Sequence, residues 1–226
     1  MFLAGKAEMT AGGGVSTRAI PVVHCFHHAG GGPEAFRRWP EQLPGVKVIP
    51  ADLETAGGAE RTTIGSLVEH WRRSTSDRSG IYYGHSMGAL VAFEAAAAAF
   101  ANDDPDQTPS AVVLGSPPAP GAARTTLATL REHGALSART VRGLERVLRY
   151  LPTRDVLPVP VHVLWGELDG VVDERDARAW TGRGSMGSTW RPLRHAGHLF
   201  HLAPGGDVSA ALRDVCGWRD TVEEAA

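Results

Sequence analysis

The sequence predicts an α/β fold in which a mostly parallel central sheet carries helices on both of its faces. Short apolar runs alternate along the chain with longer segments of helical periodicity. The strand candidates are apolar throughout, which is typical of parallel strands covered on both faces. At 226 residues the chain is long enough for one such domain and too short for two ordinary ones.

The first half of the chain contains three strand candidates separated by helices. The apolar run 20–26 ends in a loop with three consecutive glycines, and Phe36, Trp39 and Leu43 then follow at helical spacing. The predicted order is a strand at 20–26, a helix at 34–43, a strand at 45–50, a loop at 52–61, a helix at 63–74 and a strand ending at 81–83.

The second half continues the alternation but contains one interruption. The alanine-rich run 89–100 predicts a helix, and 111–115 predicts a buried strand. A Pro-rich stretch then leads to two helix candidates, 125–133 and 137–151, with Ser137 as a possible N-cap. A helical insertion of this kind between two strands can form a lid over a site at the edge of the sheet. The remaining candidates are a strand at 159–165, a helix at 173–180, a strand at 188–193 and a helix at 208–218.

Composition restricts the classes of function. A net charge of −2 and a pI near 6.5 do not favour nucleic-acid or membrane-surface binding, and no apolar stretch is long enough to span a membrane. Two cysteines form no disulfide framework, and Cys25 is expected to be a small buried side chain. We expect a cytoplasmic monomer with a leader at 1–19, one domain at 20–222 and a lid insertion at about 116–157.

The pattern Gly-His-Ser-Met-Gly at 84–88 lies between a predicted strand and a predicted helix. So sharp a turn strains the backbone of Ser86, and the glycines on either side remove side chains that would collide. This context indicates the nucleophile elbow of an α/β-hydrolase fold, with Ser86 as the nucleophile. His85 points away from a nucleophile beside it on such a turn, so a packing or hydrogen-bonding role is expected for it.

A serine nucleophile requires a base and a carboxylate that orients the base. In the α/β-hydrolase arrangement these follow in the order Ser, Asp, His, each after a strand. Asp169 follows the strand at 159–165, and His198 follows the last strand. Asp173 and Asp176 are rivals inside the next helix, and His195 is a rival of His198.

The reaction also needs two backbone N–H groups facing the developing oxyanion. Met87 follows the nucleophile, and Ala29 lies in the glycine-rich loop after the first strand, so these two residues are the predicted donors. His28 either shapes this loop or packs beneath it. The sequence contains no His or Cys spacing suited to zinc and no phosphate-binding glycine motif, so no metal or cofactor is expected.

Four segments together resemble type II thioesterases, the separate α/β hydrolases that serve polyketide synthases and non-ribosomal peptide synthetases. They are 25–31 (CFHHAGG) with 36–39 (FRRW), 84–94 (GHSMGALVAFE), 166–169 (GELD) and 197–200 (GHLF). The resemblance implies the Ser86, Asp169 and His198 triad, the Ala29 and Met87 oxyanion donors, and no cofactor. It also implies an acyl group on the phosphopantetheine arm of an acyl or peptidyl carrier protein as the substrate.

Two features depart from the family pattern. His27 stands where the family usually has proline, and the segment between the lid and the next strand is short. We therefore expect a smaller lid and an acyl-binding chamber lined by different residues. The sequence favours a hydrolytic thioesterase that edits or releases carrier-bound acyl groups. A cyclising thioesterase of the same fold, a small-molecule carboxylesterase and a non-enzymatic interaction protein are the alternatives.

Overall fold

The computed structural model describes residues 20–53, 62–102, 105–120, 136–202 and 206–215. The predicted leader at 1–19, the loop at 54–61, the first lid helix at 125–133 and the end of the chain after 215 lie outside the described residues.

The described chain is built around a six-stranded sheet with the order β2-β1-β3-β4-β5-β6, in which every neighbouring pair is parallel. All six strands were predicted from apolar runs. Their bounds are β1 Val22–Phe26, β2 Lys47–Pro50, β3 Gly80–His85, β4 Pro109–Gly115, β5 Val161–Gly166 and β6 Thr189–Leu193.

The α-helices are α1 Trp39–Gln42, α2 Ile64–Ser74, α3 Met87–Ala101, α4 Ala138–Leu148, α5 Glu174–Arg178 and α6 Gly206–Val215. Short 3₁₀ helices occupy Pro33–Phe36, Pro105–Gln107, Ala179–Arg183 and Phe200–Leu202. Among the described residues, no helix is long and apolar enough to cross a membrane.

Successive side chains of β3 point to opposite faces of the sheet, as in any strand, and therefore pack in two different hydrophobic clusters. Tyr82 packs with α2 and α3, for example against Trp71 and Leu90. Tyr83 packs on the opposite face against Phe36 and Trp39, in the core that also contains residues of α6. The prediction that helices cover both faces of the central sheet is therefore confirmed.

The prediction of one continuous helix at 34–43 is wrong. The segment 34–43 is not a single helix, because Pro40 lacks the N–H that a helix interior needs. The chain instead forms the 3₁₀ turn at Pro33–Phe36 and then α1, which begins one residue before Pro40. The three residues predicted to face the core (Phe36, Trp39 and Leu43) are nevertheless all buried.

The helix predicted at 137–151 is α4, and it is three residues shorter at its carboxyl end. Ser137 is the predicted N-cap, and its hydroxyl accepts a hydrogen bond from the Thr140 N–H at 3.1 Å. Leu151, the last residue of the predicted helix, therefore lies outside α4 and is exposed.

Candidate active site

The turn between β3 and α3 holds Ser86 in a strained backbone conformation, with φ 54° and ψ −118°. A Cβ on Gly84 would lie 2.0 Å from the Gly88 carbonyl oxygen, and one on Gly88 would lie 2.1 Å from that of Phe26. Neither position can therefore accept a side chain. The Ser86 N–H donates to the Gly115 carbonyl at 2.8 Å, which fastens the turn to β4.

Ser86, His198 and Asp169 form a continuous hydrogen-bonded line. The Ser86 Oγ lies 3.1 Å from Nε2 of His198, and Nδ1 of the same ring lies 2.9 Å from Oδ2 of Asp169. The carboxylate has no exposed side-chain surface, whereas the imidazole is 14% exposed. This geometry allows the imidazole to take the hydroxyl proton while its other nitrogen remains bound to the carboxylate.

The loop after β5 fixes the orientation of Asp169. Its Oδ1 accepts hydrogen bonds from the N–H groups of Val171 and Val172 at 2.8 and 3.0 Å. The Trp165 indole N–H donates to the Val172 carbonyl at 2.9 Å and braces the loop. Burial raises the pKa of the Asp169 carboxyl, but His198 and the Val172 N–H outweigh it and hold that pKa below its usual value. The carboxylate is therefore ionised at neutral pH.

The rival residues lie elsewhere. Asp173 is the N-cap of α5 and accepts the Arg175 N–H at 2.8 Å, so it serves the helix. His195 is exposed at a turn with φ 58°. The histidine that hydrogen-bonds both the serine and the carboxylate is His198.

The two predicted oxyanion donors lie beneath helix α4. Met87 is the first residue of α3, where backbone N–H groups have no partner within the helix. Gly143 of α4 comes so near that a Cβ on it would lie 2.5 Å from the Ala29 Cβ and 3.3 Å from the Met87 sulfur. The predicted donors are thus brought under one helix, next to Ser86.

The sequence predicted a packing or hydrogen-bonding role for His85 and a loop or packing role for His28, but not that both group with His201 beside the triad. His85 donates from Nε2 to the His198 carbonyl at 2.6 Å and, since its other nitrogen is then bare, accepts the Tyr83 hydroxyl at 3.2 Å. Nδ1 of His28 lies 2.9 Å from Nε2 of His201. The only signal available was that these histidines all lie at or just beyond the carboxyl ends of strands.

Comparison with protein-family models found that residues 21–151 match the family described as the thioesterase domain. The chain belongs to the thioesterase family. The match includes the elbow and the glycine-rich loop, but ends before Asp169 and His198. A comparison with curated protein sequences found no match.

Solved structures extend the likeness over most of this thioesterase. The RedJ thioesterase from the prodiginine biosynthetic pathway of Streptomyces coelicolor is 25% identical, with 89% of this chain and 91% of that chain covered and a TM-score of 0.67. The type II thioesterase BorB from the borrelidin biosynthetic cluster is 23% identical, with 86% and 90% covered and a TM-score of 0.63. A Bacillus megaterium epoxide hydrolase, 15% identical over 86% and 91%, has a TM-score of 0.60. The fold is therefore that of the α/β hydrolases.

Proposed function

We propose that this thioesterase hydrolyses acyl thioesters on the phosphopantetheine arm of an acyl or peptidyl carrier protein in polyketide or non-ribosomal peptide biosynthesis. The observation that carries the proposal is the line from the Ser86 hydroxyl through His198 to the buried Asp169 carboxylate. Membership of the thioesterase family supports the reaction. The substrate class is supported by the structural similarity to YbtT, a type II thioesterase from the yersiniabactin NRPS/PKS biosynthetic pathway.

In the first half of the proposed reaction, the Ser86 Oγ attacks the thioester carbonyl while Nε2 of His198 takes the hydroxyl proton. The new oxyanion accepts hydrogen bonds from the Ala29 and Met87 N–H groups. The carbon–sulfur bond then breaks, and the imidazolium returns its proton to the departing thiolate. Asp169 holds the imidazole in the required tautomer and stabilises its positive charge.

In the second half, water attacks the acyl-serine ester and His198 accepts a proton from that water. Collapse of the tetrahedral species releases the carboxylic acid and returns the proton to Ser86. The side chains and backbone groups named here supply every proton transfer, so the proposed mechanism uses no cofactor.

Intact-protein mass spectrometry of acyl-loaded carrier proteins tests the proposal. We expect the carrier to lose its acyl group as a free acid with the wild-type enzyme, and to keep it with the Ser86→Ala variant. Release of a product lacking the elements of water would establish the cyclising reaction instead. Cleavage of simple esters with every carrier left loaded would establish a carboxylesterase.

A further inference from the structure

Three histidines outside the triad form a layer beside it, with His85 and His201 fully buried and His28 partly buried. The imidazoles of His85 and His201 stack with centroids 3.7 Å apart and an interplanar angle of 20°. Nε2 of His201 then lies 2.9 Å from Nδ1 of His28, in the loop that carries Ala29. This layer physically joins the loop after β6, which carries His198, to the glycine-rich loop after β1.

His201 is itself rigidly placed. Its side chain is fully buried, and its backbone carbonyl accepts the Trp39 indole N–H at 2.9 Å. Stacking against His85 fixes the plane of the ring, and His85 is fastened to the backbone of His198. A group held in this way can serve as a fixed point for the glycine-rich loop after β1.

The direction of the His28 carbonyl determines where the Ala29 N–H points, because both groups lie in one planar trans peptide and point in opposite directions. This carbonyl accepts hydrogen bonds from the Gly31 N–H at 3.0 Å and from Nδ1 of His27 at 2.9 Å. A rotation of the peptide would break both bonds and turn the Ala29 N–H away. The His28 side chain, bound to His201, adds a third contact to the same residue.

The hydrogen bond between His28 and His201 requires at least one bare ring nitrogen. Burial, the neighbouring His27 and His198, and Arg139 lower the pKa of His28 to about 4, against a small opposing effect of Glu34. Burial and the neighbouring His28, His198 and His27 lower the pKa of His201 to about 2. Both rings are therefore neutral at neutral pH, and one donates to the other.

We propose that His201 is a positioning residue for the oxyanion hole: its hydrogen bond to His28 holds the peptide between His28 and Ala29 in place relative to His198. The inference rests on the proposed function, and neither His28 nor His201 is required to touch the substrate. A shift of the donor by about 1 Å can cost a hundredfold in rate, so a single tether of this kind has a measurable effect.

The test uses amide side chains that imitate one ring nitrogen at a time. Asparagine places its amide near the position of Nδ1, and glutamine places it near Nε2. His28→Asn and His201→Gln can therefore preserve the tether, whereas the matched controls His28→Gln and His201→Asn place the amide at the wrong atom. The members of each pair carry the same neutral amide and differ by one methylene, which moves the position of the amide group; melting temperatures control for the accompanying change in volume.

The readout is the rate at which Ser86 reacts with a fluorophosphonate, followed by intact mass with Ser86→Ala as the blank. This probe places its phosphoryl oxygen in the oxyanion hole and needs neither a carrier nor a thioester. We expect His28→Gln and His201→Asn to lower the maximal rate by about 10- to 100-fold with the half-saturating concentration unchanged. We expect His28→Asn, His201→Gln and their double variant to retain at least about a third of the wild-type rate.

Equal losses in both members of each pair, tracking their melting temperatures, would indicate a merely structural layer and overturn the proposal. Wild-type rates in all four variants would also overturn it. Each pair is an independent test, so one variant that fails to fold leaves the other pair informative. If the wild-type Ser86 does not react at all, the proposed nucleophile is wrong and this inference falls with it. A reactive Ser86 without any dependence on the position of the amide would overturn this inference alone.

Discussion

Lowering the pH from 6.5 to 5.5 is expected to reduce the free energy of unfolding by at least about 3 kcal/mol. The three histidines beside the triad account for this amount, and His24 and His162, whose pKa values burial also lowers, add to it. Burial and neighbouring histidines lower the pKa of His28 to about 4 and that of His201 to about 2, and they lower the pKa of His85 well below its usual value. In the unfolded chain each ring regains a pKa of about 6.5.

Below pH 6.5 the unfolded state therefore binds more protons than the native state, so stability falls as the pH falls. A ring that stays neutral in the fold contributes a loss of about 1 kcal/mol over this unit of pH, and three rings give about 3. The loss begins as the pH falls through about 7.5, where the unfolded rings start to be protonated. The contribution of His28 stops growing near pH 4, where this ring becomes protonated in the native state, whereas those of His85 and His201 continue to lower pH. Asp169 does not contribute in this window, because its lowered pKa affects stability only under more acidic conditions.

Urea unfolding followed by tryptophan fluorescence at pH 7.5, 6.5 and 5.5 measures the effect, since the chain contains six tryptophans. His201→Gln removes one titrating ring and should make the loss smaller by about 1 kcal/mol over the same interval. A wild-type loss below about 1 kcal/mol, or an unchanged loss in the variant, would refute the conclusion that these rings are buried in the neutral form.

Three further substitutions test separate parts of the structure. Asp169→Asn should lower kcat by about 10⁴-fold without unfolding the protein, because an amide facing Nδ1 of His198 favours the wrong tautomer. Steady-state kinetics measure the loss, and circular dichroism checks that the variant is folded. Gly143→Ala should lower kcat by about tenfold, because its Cβ would collide with the loop at Ala29, whereas exposed Glu145→Ala on the same helix should not. Glu94→Ala should lower the free energy of unfolding by about 3 kcal/mol in urea titrations, because it leaves the buried Tyr150 hydroxyl and two groups of Thr153 without their acceptor, whereas Glu94→Gln should cost less.

The parts of the fold that were predictable depend on local patterns. The four inner strands are short, largely apolar runs between turn residues, because a parallel sheet buries both faces there, whereas the edge strands β2 and β6 are more exposed. The elbow was predictable for a different reason, since Gly84 and Gly88 are each required by a close approach of backbone atoms. The helix predicted at 34–43 shows the limit of the method. Its apolar spacing correctly identified the buried residues, but Pro40 decided the backbone form.

The order of Ser86, Asp169 and His198 along the chain was readable because each follows a strand, and the carboxyl ends of parallel strands meet at one edge of a sheet. Their catalytic roles and those of Ala29 and Met87 stay predictions until the variants are measured. The domain bounds at 1–19 and 20–222 also stay predictions, because the leader lies outside the described residues.

The histidine layer could not be predicted, because its contacts join residues very far apart in the sequence. His85 and His198 are 113 positions apart, and His28 and His201 are 173 apart. The place of His85 on the elbow predicted a packing or hydrogen-bonding role, but no local pattern predicts its contact with His201, and only the fold shows that burial makes these rings neutral. His27 is another histidine whose contact the sequence did not predict. It stands where the related pattern has proline, and a proline there would lack the imidazole that donates to the His28 carbonyl. The departure from the pattern therefore occurs at a residue that helps to orient the predicted oxyanion donor.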